Sequence, residues 1–193
     1  MADVVHPAPP GAIAIGASAG AVQALLKILP ALPADYARPV LIVVHVPPAR
    51  SNALVALYQG RCRIAVKEAE DKEPAVGGTV YFAPADYHLL VEADGSLALS
   101  SDEPLNHSRP AIDILLETAA DAYGPALTGI VLTGANQDGA NGLRAVGLAG
   151  GTAIVENPRA AQSATMPAAA LQACPKAHVM TLDDITSYLL SLA

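Results

Sequence analysis

The chain is short of several things that would assign it to familiar classes. It has no tryptophan, one phenylalanine and two cysteines in 193 residues. Cys62 and Cys174 have neither the spacing of a disulfide framework nor that of a zinc site, which fits free thiols in a reducing cytoplasm. Basic residues are also few. With 11 Lys and Arg against 18 Asp and Glu, the net charge is −7, and such a chain lacks the basic face that nucleic-acid binding requires. Arg50, Arg61, Arg63 and Lys67 fall in one segment, either facing an acidic partner helix or solvated one by one. No apolar run reaches the length of a membrane span. The start, Met1 to His6, has no basic region ahead of an apolar core and is not a signal peptide. Repeats, low-complexity tracts and long linkers are absent. A soluble, cytoplasmic protein is expected.

What is present is aliphatic. Hydrophobic residues make up 52% and mean hydropathy is +0.37, carried by Ala, Val and Leu, so the chain is long enough for one domain with a full core. Apolar strand-like runs alternate with helical stretches at 20–29, 51–60, 110–122, 138–149, 167–173 and 182–192. That alternation predicts an α/β fold with a doubly wound, mainly parallel sheet flanked by helices. Val80–Phe82, His88–Val91 and Leu97–Ser100 surround the turn Ala93-Asp94-Gly95-Ser96, which predicts a small antiparallel β-hairpin addition at an edge, far in sequence from the candidate site. Residues 1 to about 10, rich in Pro and Ala, read as a flexible leader; 11–193 reads as a single domain.

Chemistry is concentrated at predicted strand ends. Gly16-Ala17-Ser18-Ala19-Gly20 follows an apolar run and leads into an amphipathic stretch, so Ser18 sits where a strand turns into a helix. A strained turn there would lift the hydroxyl clear of the backbone, with N–H groups of the helix start facing a developing oxyanion. The β-branched run from Pro39 to Val46 ends around His45, before Pro47-Pro48. One βαβ unit puts the carboxyl ends of both strands on the same edge, making Ser18 and His45 neighbours where α/β sheets bind ligands. A third run, Leu127–Leu132, breaks into Thr133-Gly134-Ala135-Asn136-Gln137-Asp138-Gly139. Asp138 either caps the following helix or accepts the histidine N–H and fixes its tautomer.

These segments, with Tyr81-Phe82-Ala83-Pro84, His88-Leu89, Asn106-His107-Ser108-Arg109-Pro110-Ala111-Ile112-Asp113, Gly150-Gly151-Thr152 and Met166-Pro167, resemble the CheB-type protein-glutamate methylesterase catalytic domain of bacterial chemotaxis. They keep the family's order and approximate spacing from about residue 11 to 190. The resemblance implies a serine hydrolase whose triad is Ser18, His45 and Asp138, acting on glutamyl methyl esters of chemoreceptors and able to deamidate receptor glutamines at the same site. It implies backbone oxyanion donors near Ala19 and Ala135, no cofactor and no metal. The protein substrate would be a methylated chemoreceptor cytoplasmic domain, with no nucleic acid and no membrane insertion. Arg109 is a substrate-binding candidate, or else anchors its loop to Asp113. Family members often carry an N-terminal receiver domain, yet only about ten residues precede the first strand here, so the chain is expected to be either unregulated or controlled by a partner in trans.

The sequence departs from the family pattern in places. Val44 stands for a common glutamine, Ala19 for a hydroxyl residue, and Ala135-Asn136-Gln137 lacks the methionine and second glycine of the usual turn. If that turn requires φ > 0 at 136, asparagine is among the few residues that tolerate it. Those departures keep two other readings open: a pseudoenzyme that binds receptor or scaffold, and a serine esterase with another substrate. A nucleotide-binding module is a poor match, because Gly16-x-Ser18-x-x-Ala21 lacks the second glycine and the second strand ends in His45, not in an acid. The chain order Ser, His, Asp also separates it from α/β-hydrolases, in which His178 would have to serve. His178 and His88 read as structural, and His6 falls in the leader.

Overall fold

In the computed structural model, residues 11–45 and 51–193 are described. The predicted leader with His6, the turn Val46-Pro47-Pro48 and Arg50 lie outside them. Among the described residues, seven parallel strands form the main sheet: β1 (Ala12–Ala17), β2 (Val40–Val44), β3 (Ala65–Glu68), β4 (Thr79–Phe82), β7 (Leu127–Val131), β8 (Thr152–Glu156) and β9 (His178–Met180), in the order β3-β4-β2-β1-β7-β8-β9. Every residue of β1, β2 and β7 is buried, which is why they read as unbroken apolar runs without alternation. β5 (His88–Val91) and β6 (Leu97–Ser100) form a separate antiparallel hairpin through the expected turn.

Among the described residues, six α-helices cover the sheet: α1 (Ala21–Ile28), α2 (Ser51–Gln59), α3 (Ile112–Tyr123), α4 (Ala140–Leu148), α5 (Thr165–Ala173) and α6 (Leu182–Leu190). Side chains alternate across β1, so Ile13, Ile15 and Ala17 enter one core with Leu25 and Ile28 of α1 and Ile185 and Leu189 of α6. Ala12 and Ala14 enter the other, with Leu115, Leu116 and Ala119 of α3 and Leu143 and Val146 of α4. α1 buries Ala21, Ala24, Leu25 and Ile28, the i, i+3, i+4, i+7 stripe of an amphipathic helix.

Two expectations need correction. Val80–Phe82 belongs to β4 of the main parallel sheet and not to the antiparallel addition, and the short β3 beside it was not foreseen. His178 is not a semi-buried structural residue: it is exposed on β9, the last strand of the sheet. The hairpin, distant in sequence from the candidate site, nevertheless supports it. His88 is fully buried; its Nε2 donates to Glu103 O at 3.1 Å and its Nδ1 accepts the Ala111 N–H at 3.1 Å, just before α3 begins.

Candidate active site

Strand order reverses around β1, with β2 on one side and β7 on the other, so the crevice outside their carboxyl ends is where this architecture binds ligands. Register brings two candidates side by side. Ala17 pairs with Val44, and the His45 N–H continues the ladder onto Ala17 O at 3.2 Å, so Ser18 and His45 leave adjacent strand ends together. Across the other edge of β1, Ser18 N donates to Thr133 O at 2.9 Å. Ser18 is half-buried and its hydroxyl makes no hydrogen bond among the described residues. The left-handed residue of this turn is Gly20, φ 88°, the residue before α1 and not the serine, so the positive φ falls on a glycine that adopts it without strain, two positions from where a serine elbow would hold it.

His45 Nε2 lies 2.8 Å from Asp138 Oδ2. The carboxylate is completely buried, and every bond it makes is accepted from a donor. Oδ2 also takes the Ile112 N–H at 2.7 Å; Oδ1 takes Asp113 N at 3.1 Å, Gly139 N at 3.0 Å and Asn106 Nδ2 at 3.3 Å. Burial alone would raise its pKa. The hydrogen bond with His45 and those from Ile112 and Asp113 outweigh it and hold the group below the usual carboxylate value.

Asp138 therefore does cap a helix, but not its own. The residue before α4 is Gly139, φ 91°, with no side-chain cap, and a β-carbon there would meet Ile112 Cγ2 at 2.8 Å. The carboxylate instead takes two of the free N–H groups at the start of α3, where a negative charge is favoured by the helix field. Capping and orientation of the histidine, two readings of one residue, coexist because the carboxylate has two oxygens and lies between both partners.

A second buried carboxylate stands behind it. Asp113 Oδ1 accepts Gly142 N at 2.8 Å, locking α3 to α4, and Oδ2 accepts Asn106 Nδ2 at 3.1 Å. Burial, opposed by the Gly142 N–H, pushes the Asp113 carboxyl up, with the Asp138 charge adding to the rise. Asn106 thus bridges the two acids from a loop where it and His107 have φ of 53° and 62°. His107 is exposed. Arg109 points elsewhere. Its Nη1 donates to Ser101 O and Asp102 O at 2.9 and 3.1 Å and its Nη2 lies 3.3 Å from Asp86 Oδ1, so it ties its loop to the β6 side and not to Asp113.

The loop after β7 supplies the rest. Thr133 Oγ1 donates to Ala19 O at 2.7 Å and accepts Ser163 N at 2.8 Å, stitching the serine turn to the stretch before α5. The Thr133 N–H is held at 2.7 Å by Glu156, whose buried carboxyl is pushed up by desolvation and partly restored by that bond. Ala19 and Ala135 are exposed, and their N–H groups donate to no acceptor among the described residues. The site thus contains a free hydroxyl, an imidazole tethered to a buried anion, and two unspent backbone donors, the parts needed for acyl transfer. No cluster of three metal-binding side chains occurs among the described residues.

Comparison with known proteins decides the family. Residues 13–189 match the CheB methylesterase family model. The chain belongs to the CheB methylesterase family. It is 42% identical over 181 residues to a Leptospira interrogans protein described as a candidate protein-glutamate methylesterase/protein-glutamine glutaminase, covering 94% of each chain. A Myxococcus xanthus protein-glutamate methylesterase/protein-glutamine glutaminase 4 is 36% identical, but the chain spans only 52% of its length. The crystal structure of the Thermotoga maritima CheB methylesterase catalytic domain superposes with a TM-score of 0.90 at 32% identity, covering 95% of this chain and 98% of that one.

The CheB resemblance drawn from the sequence and the α/β architecture expected with it both hold. Sequence reasoning named Ser18, His45 and Asp138 but missed Asn106, Thr133 and Glu156 as supports. The Asn106 signal was partly visible in the marked Asn106–Asp113 segment; the others are polar residues at strand ends whose partners lie far along the chain.

Proposed function

We infer that this protein is a serine protein-glutamate methylesterase acting in the cytoplasm on the methylated cytoplasmic domain of a chemoreceptor, with glutamine deamidation at the same site. The observation that carries this reading is the 2.8 Å His45–Asp138 bond beside the end of β1, where Ser18 offers a free hydroxyl. With Nε2–H given to Asp138, the lone pair of His45 is on Nδ1, and that nitrogen acts as the base. Ring polarity is thus the reverse of the usual serine-protease arrangement, in which Nδ1–H meets the aspartate.

His45 Nδ1 takes the Ser18 proton as Oγ attacks the γ-carbonyl of a glutamyl methyl ester. The tetrahedral oxyanion is held by the N–H groups of Ala19 and Ala135, an interaction of roughly 3 kcal/mol per donor. Asp138 stays ionised and stabilises the imidazolium, which then protonates methanol as it leaves. Water attacks the acyl-enzyme, its proton passing to His45 and on to Ser18, and free glutamate is released. With a glutamine substrate ammonia leaves in place of methanol. Arg109, tied to its own loop, serves to hold the Asn106–Asp113 segment in place.

The test is methanol release from a methylated chemoreceptor cytoplasmic fragment by the parent protein and by Ser18→Ala. Because the Ser18 hydroxyl has no partner among the described residues, the variant should melt at the parent temperature and release no methanol. Release at the parent rate from the folded variant would remove Ser18 from the reaction.

A further inference from the structure

Asn136 lies in the loop after β7, two residues before Asp138, and its side chain reaches the histidine. Its backbone is not in the left-handed region, so asparagine is not there to supply a positive φ. The amide orientation is fixed from behind. Oδ1 accepts the Asp138 N–H at 3.1 Å, which leaves Nδ2 as the end facing His45 Nδ1, at 3.4 Å. The ring orientation is fixed as well, because Nε2 is held by Asp138 at 2.8 Å. In the neutral imidazole the Nδ1 lone pair is therefore met by an amide N–H, while the Ser18 hydroxyl makes no hydrogen bond among the described residues.

We propose that Asn136 is a positioning residue that acts as a brake on the Ser18–His45 pair, occupying the lone pair that must receive the serine proton. This rests on the hydrolase reading of Ser18, His45 and Asp138. Two physical consequences follow from one N–H. Before reaction, Asn136 competes with Ser18 for a single in-plane lone pair. Once the proton has moved, Nδ1–H faces the Nδ2 hydrogens, and the amide cannot turn its oxygen forward without giving up the Asp138 N–H. At 3.4 Å the contact is long and the bond weak, so the brake slows activation without abolishing it. The chain thus keeps a triad while lowering the reactivity of its serine.

The test uses the full chain and an alkyl fluorophosphonate, which reports serine activation without a receptor. Ser18 Oγ attacks phosphorus, the P–F bond breaks, fluoride leaves and the serine proton goes to His45. Asn136→Ala and Asn136→Gly both remove the donor at a position whose backbone either residue can adopt. Each should be labelled at Ser18 about threefold to tenfold faster than the parent, the size expected from losing one weak competing hydrogen bond. In 15N NMR spectra the His45 Nδ1 resonance should move toward that of an unbonded imidazole nitrogen. Labelling at the parent rate or slower in variants shown by circular dichroism to be folded overturns the proposal, since a merely structural asparagine gives no gain. If parent and both variants resist the probe at Ser18 altogether, the hydrolase reading itself fails, and the brake with it.

Discussion

Replacing Asp138 by asparagine tests both duties of that carboxylate at once. Oδ2 accepts from His45 Nε2 and Ile112 N, and Oδ1 from Asp113 N, Gly139 N and Asn106 Nδ2. An asparagine has one acceptor oxygen and one NH2 group, so in either orientation at least two of these donors face hydrogens. A buried donor without an acceptor costs about 1–3 kcal/mol, and losing the anion at the start of α3 costs about 1 kcal/mol more. The sum, about 3–7 kcal/mol, corresponds to a fall in melting temperature on the order of 10 °C for a chain of this size. Catalysis should suffer further. If NH2 faces His45, the imidazole proton is driven to Nδ1, and that nitrogen can no longer act as the base. If it faces the other way, Ile112 and His45 keep their acceptor, but the fixed negative charge that stabilises the imidazolium is gone. The expected loss in methanol release is about 10⁴-fold, measured well below the new melting temperature. A folded variant retaining more than about a tenth of the parent rate would refute the orienting role and leave Asp138 as the cap of α3 alone.

Removing the Thr133 hydroxyl with Thr133→Val loses its bonds with Ala19 O and Ser163 N, and should cost about 2 kcal/mol of stability while lowering kcat more than it raises KM, because the serine turn is no longer stitched to the Ala135 donor; an unchanged kcat would show that the turn holds its own shape. Glu156→Gln keeps an acceptor for the Thr133 N–H but removes a carboxyl that the fold prefers protonated. A raised folded pKa means the parent loses stability as pH rises through and above the unfolded value of 4.5, so the variant should be the more stable of the two at pH 8 and lose that advantage below about pH 4. Denaturant melts at both pH values check the sign, and a variant less stable at pH 8 would mean the charged carboxylate is well satisfied.

Local pattern determined much of this protein. The apolar runs closing at Ile15, around His45 and at Leu132 read as buried parallel strands, and their alternation with helical stretches led to a doubly wound sheet. Because parallel strands share a direction, chemistry at their carboxyl ends had to gather on one edge, which is why Ser18, His45 and Asp138 were legible as a group. Tertiary structure decided how each is held. That Asp138 caps α3 and not α4, that His88 of the hairpin accepts from Ala111, that Asn106 bridges two acids and that Asn136 meets Nδ1 all depend on hydrogen bonds between residues on different elements. β4 joined the parallel sheet through pairing with β2, whose partner residues lie forty positions away, Val40 with Val80 and Ile42 with Phe82, while its local sequence also suited the neighbouring hairpin. Burial periodicity is written along the chain, whereas the direction of a hydrogen bond is set by whichever donor or acceptor the completed packing brings within 3 Å or so.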